Sequence, residues 1–124
     1  SGIEIYLNRL PGLKVLEVKD STQRKEEVTI REIIQKNETL VTLSEHGQCF
    51  TSKQFAKKLI GCHNQNISFV IGGATGLSPS LNNSAAWQLS LSPLTFPHEI
   101  ARLLLLEQLY RAKTIAQGSP YHKE

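Results

Sequence analysis

Two groups of residues in this chain have types and spacings suited to chemistry. The first lies toward the C-terminal end: His98, Arg102, Arg111, Tyr121 and His122. His98 follows Thr95-Phe96-Pro97, a helix opening, which puts its imidazole in the first turn. The positive end of the helix dipole there favours a neutral ring, and a neutral imidazole can act as a base. Arg102 comes four residues later, so the two side chains share a helix face. Arg111 stands at the same spacing after Glu107, and a salt bridge between them is its plainest role. An arginine among leucines needs a carboxylate, an anion or solvent beside it. The tail Ser119-Pro120-Tyr121-His122-Lys123-Glu124 is aromatic and basic. Such an end frays by default, yet Tyr121 and His122 could stack on a nucleobase or hydrogen-bond to it.

The second group consists of small and apolar residues where strands end. Phe69-Val70-Ile71 empties into Gly72-Gly73-Ala74-Thr75-Gly76. Thr39–Leu43 empties into Ser44-Glu45-His46-Gly47-Gln48, and Leu89-Ser90-Leu91 into Ser92-Pro93-Leu94-Thr95-Phe96. Loops of small residues let backbone amides and carbonyls come close to a ligand. Loops at the C-terminal ends of neighbouring parallel strands form the crevice where open α/β sheets bind. This crevice would be lined by apolar side chains and backbone, which suits a purine ring and a ribose. The glycines have neither the GxxxxGK[ST] lysine nor GxGxxG spacing, so no phosphate grip is expected. A tight turn without a ligand accounts equally well for a bare Gly-Gly.

The elements that must position these groups alternate. Ile3, Tyr6, Leu7 and Leu10 have helical spacing ended by Pro11-Gly12, and Leu13–Val18 reads as a strand. A mostly exposed helix is expected over 22–36, capped from Asp20-Ser21. Arg24 and Lys25 sit at its start against the dipole, as solvated charges or as an anion site. Strand 39–43, helix 51–60 stopped by Gly61, and strand 67–71 follow. Ser78-Pro79 opens a short helix, Leu89 and Leu91 mark a strand, and a long helix covers 98–117. Its core face is expected to be Ile100, Leu103, Leu104 and Ile115. Alternation of this kind argues for an α/β fold with a mostly parallel sheet and helices on both faces.

Composition sets wider limits. A chain of 124 residues with 40% hydrophobic and 20% charged residues suits one globular domain. A net charge of +3 permits a polyanionic partner without requiring one. Cys49 and Cys62 form no CxxC, and no His/Cys cluster has metal-ligand spacing, so neither a metal nor a disulfide is expected. The longest leucine run, Leu103–Leu106, is far short of the ~20 residues of a membrane span. A reduced, cytoplasmic setting is the simplest expectation.

Taken together, FVIGGATGLS, LSPLTFPHEIARLLLLEQLYRA and the ending GSPYHKE resemble a known family. They are similar to the bacterial 23S ribosomal RNA pseudouridine-N3 methyltransferases (RlmH type) of the SPOUT class. GIEIYLNRL and VTLSEHGQCFTSKQFA extend the likeness over nearly the whole chain. The resemblance implies one SPOUT domain over residues 1–124, with a C-terminal trefoil knot that forms a pocket for S-adenosyl-L-methionine. It implies a homodimer whose pocket is completed by the partner, acting on ribosomal RNA in the assembled ribosome. Position by position, it assigns cofactor contacts to Leu43, Gly72, Gly73, Leu91, Ser92, Pro93, Leu94, Thr95 and Phe96. It links His98, Arg102, Tyr110, Arg111, Tyr121 and His122 to substrate or catalysis. Family members begin with a further strand and half a helix, roughly twenty residues, so this sequence is expected to start inside that helix. Two other functions are open to the residues alone: an RNA-binding module of the same fold without catalysis, and a small nucleotide-binding regulatory domain.

Overall fold

The computed structural model describes residues 3–7, 12–18, 22–34, 37–62, 66–73 and 76–118. In chain order the elements are β1 (Ile3–Leu7), β2 (Leu13–Val18), α1 (Gln23–Ile33), β3 (Glu38–Gln48) and α2 (Ser52–Ile60). They continue with β4 (Asn66–Ile71), α3 (Pro79–Ser84), β5 (Trp87–Leu89) and α4 (His98–Ala116). The five strands form one sheet in the order β1-β2-β4-β3-β5. β2, β4, β3 and β5 run parallel, as the alternation predicts, and β1 is antiparallel to β2.

The pleat sends alternate residues to opposite faces, and both faces are covered. Val15, Val41, Phe69 and Leu89 face Phe55 and Ala56 of α2 and Leu105, Leu109 and Ala112 of α4. Leu16, Val18 and Val70 face Ile30 of α1 and Leu77 and Leu81 on the other side. Each short helix has a side-chain cap on its first turn. Thr22 accepts from the Lys25 amide, Ser78 from the Leu81 amide, and Thr51 and Gln54 form a reciprocal capping box. The cap of α1 is therefore Thr22; the expected Asp20-Ser21 lies outside the described residues. Arg24 and Lys25 are exposed.

Three expectations are corrected. Ile3–Leu7 is an edge strand paired with β2 from Ile3↔Val18 to Leu7↔Lys14, not the end of a helix. Ile3, Ile5 and Leu7 also repeat with period two, and the open edge of β2 offers unpaired backbone groups that favour pairing. Ser44–Gln48 is not a loop but the continuation of β3. Leu43 and Gln48 both register against Leu89, with a bulge between them. Only glycine is tolerated at Gly47 there, because a Cβ would lie 2.7 Å from the Gln88 carbonyl. The buried face of α4 is Leu105, Leu109 and Ala112, with Ile115 packed against the core as expected, whereas Ile100 and Leu103 are 44% and 62% exposed. Four consecutive leucines point in every direction around a helix, so periodicity could not choose the face.

Candidate functional site

The parallel register brings the C-terminal ends of the strands level. Glu17 of β2 lies opposite Ile71 of β4, and Leu43 of β3 opposite Leu89 of β5. Beyond these ends opens a cavity of about 620 Å³. Among the described residues, its walls include Leu43, Ser44 and Glu45 from β3, Ile71 at the end of β4, and Gly72, Gly73 and Gly76 after it. Leu91, Ser92, Leu94, Thr95 and Phe96 close it from the stretch after β5, and His98 and Ala101 from the start of α4. The three strand ends singled out in the sequence therefore meet at one place.

Local chemistry shapes each wall. The Gly76 amide donates to the Gly73 carbonyl at 2.9 Å, and Gly76 has a φ of +74°, which favours glycine. A Cβ on Gly72 would lie 2.8 Å from the Gly76 backbone and 2.9 Å from the Leu77 amide nitrogen. Gly72 thus allows the loop to fold tightly on itself. The other two walls are laced together. The Thr95 hydroxyl donates to Glu45 Oε2 at 3.1 Å, and the Ser90 amide to the Gln48 carbonyl at 2.8 Å. Ser92 Oγ accepts from the Leu94 amide at 3.1 Å and turns the loop. Helix α4 begins at the cavity after Pro97 with no side-chain cap on its first turn.

The titratable cluster beside the cavity has a member that sequence reasoning missed. Glu17 is fully buried. Its Oε2 lies 2.7 Å from His98 Nδ1, and its Oε1 accepts from Arg102 Nη1 at 2.8 Å. The other ring nitrogen of His98, Nε2, is 3.3 Å from Glu99 Oε1. The dipole argument for His98 thus covers only part of its surroundings, since a carboxylate lies against each nitrogen. A signal for Glu17 was present in the sequence. In Leu13-Lys14-Val15-Leu16-Glu17-Val18 the residues of both faces are apolar around it, and a charge in a strand covered on both sides requires a partner.

The expected site residues divide accordingly. Leu43, Gly72, Gly73, Leu91, Ser92, Leu94, Thr95, Phe96 and His98 all line the cavity, while Pro93 is exposed and is not among its lining residues. Arg102 joins His98 through Glu17. Arg111 is about 13 Å further along the helix axis than Arg102. Its Nε bonds Glu107 Oε1 at 2.8 Å, the salt bridge its spacing predicts. Tyr110 is half exposed. Tyr121 and His122 lie outside the described residues. Among the described residues no group of three or more His, Cys, Asp or Glu could hold a metal ion, and no helix is long and apolar enough to cross a membrane.

An α/β domain with this strand-end cavity matches the family model described as "Predicted SPOUT methyltransferase" over residues 1–122, and the chain belongs to that family. It is 78% identical over 123 residues to the ribosomal RNA large subunit methyltransferase H of Prochlorococcus marinus (strain NATL1A), covering 99% of this chain and 85% of that one. It is 56% identical over 122 residues to the protein of the same name from Synechococcus sp. (strain CC9902), covering 98% and 85%. Among solved structures, the SpoU methyltransferase AviRb from Streptomyces viridochromogenes aligns with a TM-score of 0.47 at 19% identity, over 82% of this chain and 39% of that one.

Proposed function

We propose that the methyl donor is S-adenosylmethionine and that the acceptor is N3 of a pseudouridine in large-subunit ribosomal RNA. That the protein is a methyltransferase acting on ribosomal RNA follows from its family and from relatives 78% and 56% identical to it. The observation that carries the donor assignment is the convergence of Leu43, Gly72 and Leu94 on one cavity. Its volume, about 620 Å³, is that of a small-molecule pocket. The described lining residues include no lysine or arginine, and Glu45 stands on the rim. That charge pattern suits a cationic ligand and would grip a phosphate poorly.

Bound there, S-adenosylmethionine supplies an electrophilic sulfonium methyl group. The protein's work is then positioning and proton handling. Leu43, Leu91 and Leu94 offer apolar contact to an adenine ring, and the backbone beside Gly72 and Gly73 offers hydrogen bonds. Glu45 can accept from ribose hydroxyls. In this reading His98 takes the proton that N3 must lose, and Arg102 holds negative charge that develops on the base. Tyr121 and His122 contribute on the substrate side, and Arg111 meets RNA backbone.

The reading includes a homodimer working in the cytoplasm on ribosomal RNA in the assembled ribosome, and the C-terminal threading that the resemblance implies. Leu103, Ile100 and Tyr110 form an exposed stripe on α4. Beside that helix a second cavity of about 450 Å³, lined by Phe50, Leu91 and Leu104, shares Leu91 with the first. Both features support a subunit contact that continues into the cofactor wall. The test is purified protein with labelled S-adenosylmethionine and ribosomes lacking the modification. Methylation at N3 of a pseudouridine is expected; label at another base, or none, would overturn the assignment. Deleting 121–124 should lower turnover and spare cofactor affinity.

A further inference from the structure

Glu17 presents a problem that the proposed reaction does not by itself explain. Its carboxylate is fully buried, and burying a charge costs several kcal/mol unless it is well paired. Its two oxygens are divided between His98 and Arg102 on one helix, 81 and 85 residues away in the chain. Apolar neighbours would have closed this gap between β2 and α4 more simply. Instead three polar side chains span it, and one of them, His98, lines the cavity.

We propose that Glu17 is the positioning residue of this site, fixing the tautomer of His98 and the direction of the Arg102 guanidinium with one carboxylate. The guanidinium cannot lose its proton, so it keeps its partner oxygen occupied as an acceptor. An ionised carboxylate only accepts, so the nitrogen 2.7 Å away, Nδ1, carries the hydrogen. That leaves Nε2 as the end of the ring that exchanges a proton. Its neighbour at 3.3 Å is Glu99, whose side chain is 57% exposed and gives the proton a way to solvent. A carboxylate behind a histidine sets tautomer and orientation in this way in catalytic and metal sites alike. Glu17 touches neither cofactor nor substrate in this account; it acts through the two residues that do. The inference rests on the methyl-transfer reading only for the use made of His98 and Arg102.

The test begins with the unaltered protein. In ¹⁵N-histidine-labelled samples held where imidazole is neutral, with His98 assigned by its loss in His98→Asn, Nδ1 should show the protonated shift and Nε2 the unprotonated one. Glu17→Gln keeps the shape but has one acceptor oxygen. If Arg102 retains that oxygen, the amide NH₂ faces Nδ1 and the tautomer should reverse. Turnover should fall about 10- to 100-fold, with cofactor affinity unchanged within about twofold. A wild-type His98 protonated on Nε2 would overturn the proposal, whether or not the variant folds. So would unchanged turnover in a folded Glu17→Gln. A wild-type protein that transfers no methyl group would instead overturn the proposed reaction, while the shifts still decide the role of Glu17.

Discussion

Both ends of the parallel sheet contain a buried carboxylate, and the two are satisfied differently. At the N-terminal end, Glu38 of β3 accepts from Lys14 of β2 at 3.0 Å and from the hydroxyl of Ser68 on β4. These partners belong to strands of the same sheet, and Lys14 stands level with Ser68. At the C-terminal end, the described partners of Glu17 come from α4, beside the cavity. One carboxylate staples strands to each other; the other ties the sheet to the helix that begins at the site. Burial alone therefore does not separate a structural charge from a functional one. What separates them is where the partners lead: at the C-terminal strand ends, where α/β sheets bind ligands, they lead into a pocket.

The largest expected effects test this difference directly. Glu17→Ala leaves a guanidinium and an imidazole without their shared partner and should cost about 3–5 kcal/mol in urea unfolding, with methyl transfer lost. Glu38→Ala should cost about 1–3 kcal/mol and leave the turnover of the folded fraction near wild type. If the folded Glu38→Ala protein were inactive, the contrast between the two ends would fail. Next, Gly72→Val drives a side chain into the Gly76 and Leu77 backbone, so cofactor affinity should fall more than about tenfold by calorimetry. Gly73→Ala, whose Cβ would lie 3.2 Å from the side-chain oxygen Oε2 of Glu26 and 3.7 Å from the Val18 carbonyl, should lose less. An unchanged affinity in Gly72→Val would reduce that loop to a turn.

Smaller effects are expected away from the site. Arg111→Ala removes a half-buried helix pair with Glu107, four residues away, and should cost about 1 kcal/mol or less, below Arg102→Ala in the same unfolding assay. The smallest is a pH effect. Hydrogen bonds from Ser78, then Arg31, hold the Glu27 carboxyl below the usual glutamate range, with desolvation opposing them. A lowered value means that this tie between α1 and α3 is fully present above the unfolded glutamate range. It is lost as pH falls through the folded value. Glu27→Gln should lower the melting temperature slightly at neutral pH and converge with wild type at the acid end, which flattens the acid side of the profile. A steeper acid limb in the variant would reverse the sign of that contribution.

Much of the architecture was legible because it is written locally. The hydrophobic runs of β2, β3 and β4, the caps Ser78 and Thr51, and the stop at Gly61 act within a few residues. Alternation of strands and helices then implies parallel crossovers, and parallel crossovers bring the ends after Leu43, Ile71 and Leu91 to one edge. The opening strand and the buried face of α4 were not legible for a related reason. Ile3–Leu7 satisfies two periods at once, and Leu103–Leu106 satisfies all directions, so a neighbouring surface had to choose.

By itself, then, the sequence determined an α/β chain with three small-residue strand ends, a histidine and an arginine sharing one helix face, and the family to which these belong. Only the tertiary structure decided that Glu17 stands behind that histidine and arginine, that β3 runs on past Leu43 across a bulge, and which leucines of α4 are covered. The physical reason is range. Propensity, capping and periodicity are set by neighbours along the chain, whereas a buried charge takes its partner from whatever the crossovers carry to it, here more than 80 residues away.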